Sequence, residues 1–68
     1  MKPLSGKEMA KLLEAHGWQL GRVHGSHHVY VKAGKRERLS VPIHAGKLLK
    51  PGLQRYLLKT AGIEEDAL

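Results

Sequence analysis

"WQLGRVHGSHHVYVKAGKRERLSVPI", residues 18–43, holds three short segments of strand character, and the fold turns on them. In the first, residues 18–23, Trp18 and Leu20 alternate with Gln19, and Gly21 reads as a bulge or as the strand's end. The second, residues 27–32, is the β-branched and aromatic run HHVYVK. The third, residues 38–43, sets Leu39, Val41 and Ile43 on one side and Arg38 and Ser40 on the other. Residues 33–37, AGKRE, make a hairpin loop of ordinary length. Pro42 has no N–H to give a ladder, so the third segment ends there or lies at a sheet edge.

Both flanks of this stretch read as amphipathic helices. Ser5-Gly6-Lys7-Glu8 is a capping box, and Leu4 and Met9 stand at the positions of a hydrophobic staple. Met9, Leu12 and Leu13 then recur at helical spacing, with Lys7, Lys11 and Glu14 opposite. Gly17 is a natural stop, which places the helix over about residues 6–16. His16 falls in its last turn, where a partly positive imidazole suits the helix dipole. Residues 43–50 read as a loop or single turn. After them, Pro51 suits a first helical position, Leu53, Tyr56, Leu57 and Ala61 form an apolar stripe, and Gly62 ends it. The order α-β-β-β-α predicts an α+β fold: a three-stranded antiparallel sheet with two helices on one face and the other face open. This is the layout of the double-stranded-RNA-binding domain.

At 68 residues the chain makes one domain. A chain of this size buries only about 60% of the surface its unfolded form exposes. With no cysteine, disulfides and thiolate metal sites are excluded and packing must supply the stability. Such usage fits the cytoplasm. No stretch near the start has the apolar run of a signal peptide, and none is long enough to span a bilayer. Residues 1–63 are expected to form the domain, and 64–68 a frayed acidic tail. Twelve Lys and Arg oppose six Asp and Glu, a formal net charge of +6, and three of the six acids are Glu64, Glu65 and Asp66. The body of the chain therefore attracts polyanions, of which nucleic acid is the commonest. An anionic membrane surface is disfavoured, because no basic amphipathic helix with exposed aromatics is visible.

Three of the five histidines crowd into VHGSHHVY, residues 23–30. A metal is one use, with His24, His27, His28 and even His44 as donors. Structural zinc sites usually include cysteine, however, and His27 and His28 are adjacent on a strand and point to opposite faces. Acid–base work is a second use. Attack of a ribose 2′-OH on its phosphate needs a base, an acid for the leaving 5′-oxygen, and positive charge around phosphorus. An imidazole, with an unperturbed pKa of about 6.5, suits the proton steps. Arg22, Lys32, Lys35, Arg36, Arg38 and Lys47 are available to hold the strand. A polar turn is the third reading, with Gly25 at positive φ and Ser26 in a local hydrogen bond. The pleat leaves the choice open. His27 shares parity with Val29 and Val31, expected on the covered face, and His28 with Tyr30 and Lys32, expected on the open one.

The runs GSHHVY and VPIHAGKLLKPGLQRYLLKTAGI, with the helix opening SGKEMAKLLEAHGW, resemble the HicA family of mRNA interferase toxins. The likeness covers nearly the whole chain. Gly-Ser-His alone is a weak motif; joined to VPxH, the length and the element order, it is far more specific. The resemblance implies a double-stranded-RNA-binding-like fold, metal-independent cleavage of mRNA without a cofactor, and a HicB-type antitoxin as partner. It also implies that the histidine of Gly-Ser-His, here His27, is catalytic. At the rim of a covered face His27 would be partly desolvated, which favours the neutral imidazole of a general base. Ser26, His28, Arg22, Lys32, Arg36, Arg38, His44 and Lys47 are the candidate RNA contacts. His28 and His44 are candidates for a second proton carrier, and His24, upstream of the signature, is read as incidental. Two other readings share the charge: a non-catalytic RNA-binding module, and a protein-interaction module with an acidic partner.

Overall fold

The computed structural model describes residues 2–67. Helix α1 (Gly6–Ala15) is followed by strands β1 (Gln19–His24), β2 (His27–Val31) and β3 (Leu39–Pro42) and by helix α2 (Pro51–Ala61). The strands form one antiparallel sheet in the order β1-β2-β3. Both termini of α1 are closed as the sequence predicts. The Ser5 hydroxyl accepts from the Glu8 N–H at 3.1 Å, and the Glu8 carboxylate accepts from the Ser5 N–H at 2.9 Å. These bonds hold the Glu8 carboxyl below its usual range. At the far end Gly17, at φ 91, lets the Gly17 N–H reach the Glu14 carbonyl (3.1 Å) and the Trp18 N–H reach the Leu13 carbonyl (3.0 Å). This Schellman pair brings Trp18 over Leu13, and both are buried. Gly62 closes α2 in the same way, with Ile63 bonded back to Leu58 at 2.9 Å.

The core is one cluster in which Met9, Ala10 and Leu13 of α1 meet Tyr30, Leu39 and Val41 of the sheet and Leu57, Leu58 and Ala61 of α2. The apolar stripe of α2 is rotated from the expected one. Leu53 is only partly buried and Tyr56 is exposed, whereas Gln54 and Leu58 face the interior with Leu57 and Ala61. A polar residue enters that stripe because its amide has two backbone partners. Gln54 Oε1 accepts from the Leu4 N–H at 2.8 Å, and Gln54 Nε2 donates to the Lys2 carbonyl at 2.6 Å. Together with the Leu49 N–H to Leu4 carbonyl bond (2.8 Å), these contacts fasten the N-terminal segment beside the entry to α2.

The parity of β2 is the reverse of the one predicted. Tyr30 pairs with Leu39 and His28 with Val41, so His28 and Tyr30 lie on the helix-covered face and His27, Val29 and Val31 on the open one. HHVYV carries apolar side chains on both parities, and alternation alone could not choose between them. The largest of them decides: Tyr30 fills the core while its hydroxyl reaches the rim and donates to Glu14 at 2.7 Å. Burial, then the Glu14 carboxylate, push the Tyr30 phenol up to about 12. Its folded pKa lies above the unfolded one, so the associated stability is intact below about pH 10 and is lost as pH rises toward 12. Denaturant midpoints measured at rising alkaline pH should fall through that window, and the fall should be shallower in Tyr30→Phe.

Strand β1 lies beyond the cover of the helices, so Leu20 and Val23 remain exposed although they share the helix-side face. Past α2, Glu65–Ala67 form a turn of 3-10 helix, with Glu65 Oε1 at 3.5 Å from Arg55 Nε. The last residue of the expected frayed tail, Leu68, lies outside the described residues. Among the described residues no helix is long and apolar enough to cross a membrane.

Candidate active site

Gly25 and Ser26 alone connect β1 to β2. Gly25 has φ 61 and Ser26 does not have positive φ, as a type II′ turn requires, and this turn matches the twist of the strands it joins. The turn leaves His24 and His27 directly opposite one another. It is also tied to the third strand: the Ser26 carbonyl accepts from the Ile43 N–H at 2.7 Å, and His27 stands in register with Pro42. Ser26 thus has a backbone role in holding His27 at this end of the sheet.

The register of β1 slips between Leu20 and Arg22, leaving Gly21 as the extra residue of a bulge. Leu20 pairs with Tyr30 on the covered face, yet Arg22 pairs with Val29 on the open face, and His24 follows it there. Without the slip, simple alternation would turn Arg22 and His24 under the sheet. A bulge re-aims the side chains that follow it. A Cβ at Gly21 would make ordinary van der Waals contact with both methyls of Val31, at 3.4 Å.

The open face near the turn therefore gathers Arg22, His24 and His27 with Val29 and Ser40. Arg22, His24, Ser26 and His27 are all exposed. The expectation that His27 sits desolvated at the rim of a covered face is overturned, since that face belongs to Tyr30 and Val41. His28, expected on the open face, is half-buried on the helix side opposite Val23 and Val41 and does not face His27. His44 and Lys47 close a turn just past β3, with the Lys47 N–H bonded to the His44 carbonyl at 3.0 Å and Gly46 at φ 74. Both line a groove of about 320 Å³ beside Pro42, floored by Leu49 and Leu53 and reaching Lys50 at the start of α2.

The remaining candidate contacts lie elsewhere. Lys32, Lys35, Arg36 and Arg38 belong to the β2–β3 connection, at the opposite end of the sheet from His27. Lys32, just past the end of β2, is five residues on from His27, roughly 16 Å at the usual rise. Lys32 is partly occupied: its Nζ donates to the His16 carbonyl at 2.9 Å, at the C-terminus of α1. A cation there suits the helix dipole, so its position has a structural explanation. His24 is the neighbour that sequence reasoning missed. The signal was present, because a two-residue turn pairs the residues that flank it, but it needed the turn type to be recognised.

No Asp or Glu lies on the three strands or in the β1–β2 turn, and Arg22 is the one Lys or Arg on the strands. Among the described residues no group of three or more His, Cys, Asp or Glu is placed to hold a metal ion. What the arrangement offers is two imidazoles and a guanidinium, held by backbone pairing on a solvent-facing surface. That chemistry is proton transfer next to an anion.

No curated protein matches the sequence. A protein-family model described as the HicA toxin of bacterial toxin–antitoxin matches residues 6–63. The match runs from the first residue of α1 to the end of the core and takes in both helices, the whole sheet and the Gly-Ser-His turn. A toxin of such a system has a cognate antitoxin, and this chain belongs to the HicA toxin family.

Proposed function

We propose that the protein is an mRNA interferase: an endoribonuclease that cleaves mRNA by 2′-OH attack, with His27 as general base. The observation that carries this reading is the presentation of His27 on the open face, at the tip of a hairpin and in register with His24 and Pro42. Arg22 shares that face, and His44 and Lys47 line a groove beside Pro42, the register partner of His27. An exposed imidazole at a tip meets a long polymer that no closed pocket would admit. The absence of a carboxylate pair from the strands favours proton transfer by side chains over two-metal phosphoryl transfer. The reaction needs no cofactor. It is expected to take place in the cytoplasm, where mRNA is, and to be stopped by a HicB-type antitoxin that covers the basic hairpin face.

The test is cleavage of a long single-stranded RNA by purified protein in the presence of chelator. Products ending in a 2′,3′-cyclic phosphate and a 5′-hydroxyl support the reading. Loss of cleavage in chelator would replace it with a metal-dependent one. Binding without cleavage would leave a non-catalytic RNA module, whose affinity should weaken with a log–log salt slope of about −0.7 per phosphate neutralised. No affinity at low salt would point to a protein partner for the basic surface.

A further inference from the structure

His24 is the residue that the Gly21 bulge and the two-residue turn jointly deliver to the face of His27. We propose that it is the general acid of the reaction, protonating the leaving 5′-oxygen. This rests on the reading of His27 as base.

His24 and His27 form the terminal cross-strand pair of the β1–β2 hairpin, with side chains on one face. Residues so paired carry Cβ atoms about 5 Å apart. Two imidazoles at that spacing can address the two oxygens on opposite sides of a phosphorus, the attacking 2′-oxygen and the leaving 5′-oxygen. The other histidines are less well placed. His28 points under the sheet beside Val41. His16 lies at the end of α1, its ring Nδ1 3.0 Å from the Leu12 carbonyl. His44 lies outside the strand ladder, in the turn that lines the Leu49–Leu53 groove. The bulge gives up regular pairing at Gly21, and what it gains is the turning of Arg22 and His24 to the open face together. Arg22 then stands on that face beside both imidazoles, where a guanidinium balances charge on the pentavalent phosphate.

The step balances without a co-reactant. Neutral His27 takes the 2′-OH proton as the 2′-oxygen bonds to phosphorus. The phosphorus–O5′ bond breaks, and protonated His24 gives its proton to the departing oxygen. A 2′,3′-cyclic phosphate and a 5′-hydroxyl result, His27 is left protonated and His24 neutral, and exchange with water resets the pair. β3 contributes Ser40 and Pro42 to this face, neither of them titratable, so Arg22 is the one fixed charge among the strand residues facing the two rings.

A leaving group that needs no proton isolates the role. In an RNA with sulfur in place of the bridging 5′-oxygen, the leaving thiolate has a conjugate-acid pKa of about 8.5, and departs without help. His24→Ala should slow cleavage of ordinary RNA by about 10²-fold or more and recover most of the wild-type rate on the sulfur-bridged substrate. His27→Ala should stay slow on both, and His16→Ala, at the end of α1, should respond to the two substrates as wild type does. Both His24 and His27 are exposed, so circular dichroism melts should match wild type. Equal slowing of His24→Ala on both substrates, or none on ordinary RNA, overturns the assignment of His24 and leaves His27 in place. Failure of the wild-type protein to cleave either substrate overturns the ribonuclease reading itself, and the role of His24 with it.

Discussion

His27→Ala is expected to lower the rate of RNA cleavage by about 10²–10⁴-fold, the contribution of a positioned general base, while the protein stays folded. The side chain is exposed, and the neighbours of His27 in the sheet, His24 and Pro42, are reached through the backbone. Substitutions at such surface positions usually change stability by no more than about 0.5 kcal/mol. RNA affinity should also survive, because the net charge of +6 is carried by Lys and Arg. His27→Gln sharpens the comparison: an amide keeps polarity and some hydrogen bonding but cannot carry a proton, so it should be as slow as alanine. Initial rates on a single-stranded RNA, with a binding titration and a thermal melt on the same samples, check all three statements. Cleavage by His27→Ala at the wild-type rate would remove His27 from the chemistry.

Gly6→Ala should be the most damaging small substitution, at a cost of about 3 kcal/mol, near the upper end for overpacking a well-fitted contact. For a domain of this size that lowers the melting temperature by roughly 12–24 °C. Gly6 is buried in the first turn of α1, where a Cβ would stand 3.0 Å from the Pro42 carbonyl carbon, 3.2 Å from Ile43 Cα, and closer still to the Pro42 carbonyl oxygen. All three are backbone atoms and cannot swing aside, so α1 would have to lift from β3 and open the core between Met9 and Val41. Helix propensity argues the other way, since Ala is better than Gly in a helix by about 1 kcal/mol. The direction of the change therefore reports the contact. Gly52→Ala is the control: it is also helical, but nothing lies within 4 Å of a Cβ there, so it should be neutral or slightly stabilising. Gly6→Ala should also impair cleavage, because Pro42 and Ile43 are the residues that hold His27 and Ser26.

Much of this architecture is legible in the order of residues. Ser5 and Glu8, Gly17, Pro51 and Gly62 mark helix ends by local rules, and each acts within a few residues of itself. The three strands and their antiparallel pairing follow from short segments whose connections are too brief for a parallel crossover, and the missing N–H of Pro42 marks the end of the third strand or a sheet edge. The Gly-Ser-His signature identified the turn that presents His27. These features depend on interactions between near neighbours in the chain, which is why the sequence alone determined them.

Which face each side chain takes was decided only by the tertiary structure. Tyr30 and Gln54 went inward and Val31 and Tyr56 did not, because what each could reach across the core outweighed its own hydropathy. Glu14 satisfied the hydroxyl of Tyr30, and the backbone at Lys2 and Leu4 satisfied the amide of Gln54. The bulge at Gly21 depends in the same way on β2 lying alongside, and with it the meeting of His24 and His27. A strand's pleat has a period of two, so one inserted residue reverses every side chain beyond it. Sequence supplied the histidines and the turn between them, and the packing of β1 against β2 set them on the same side.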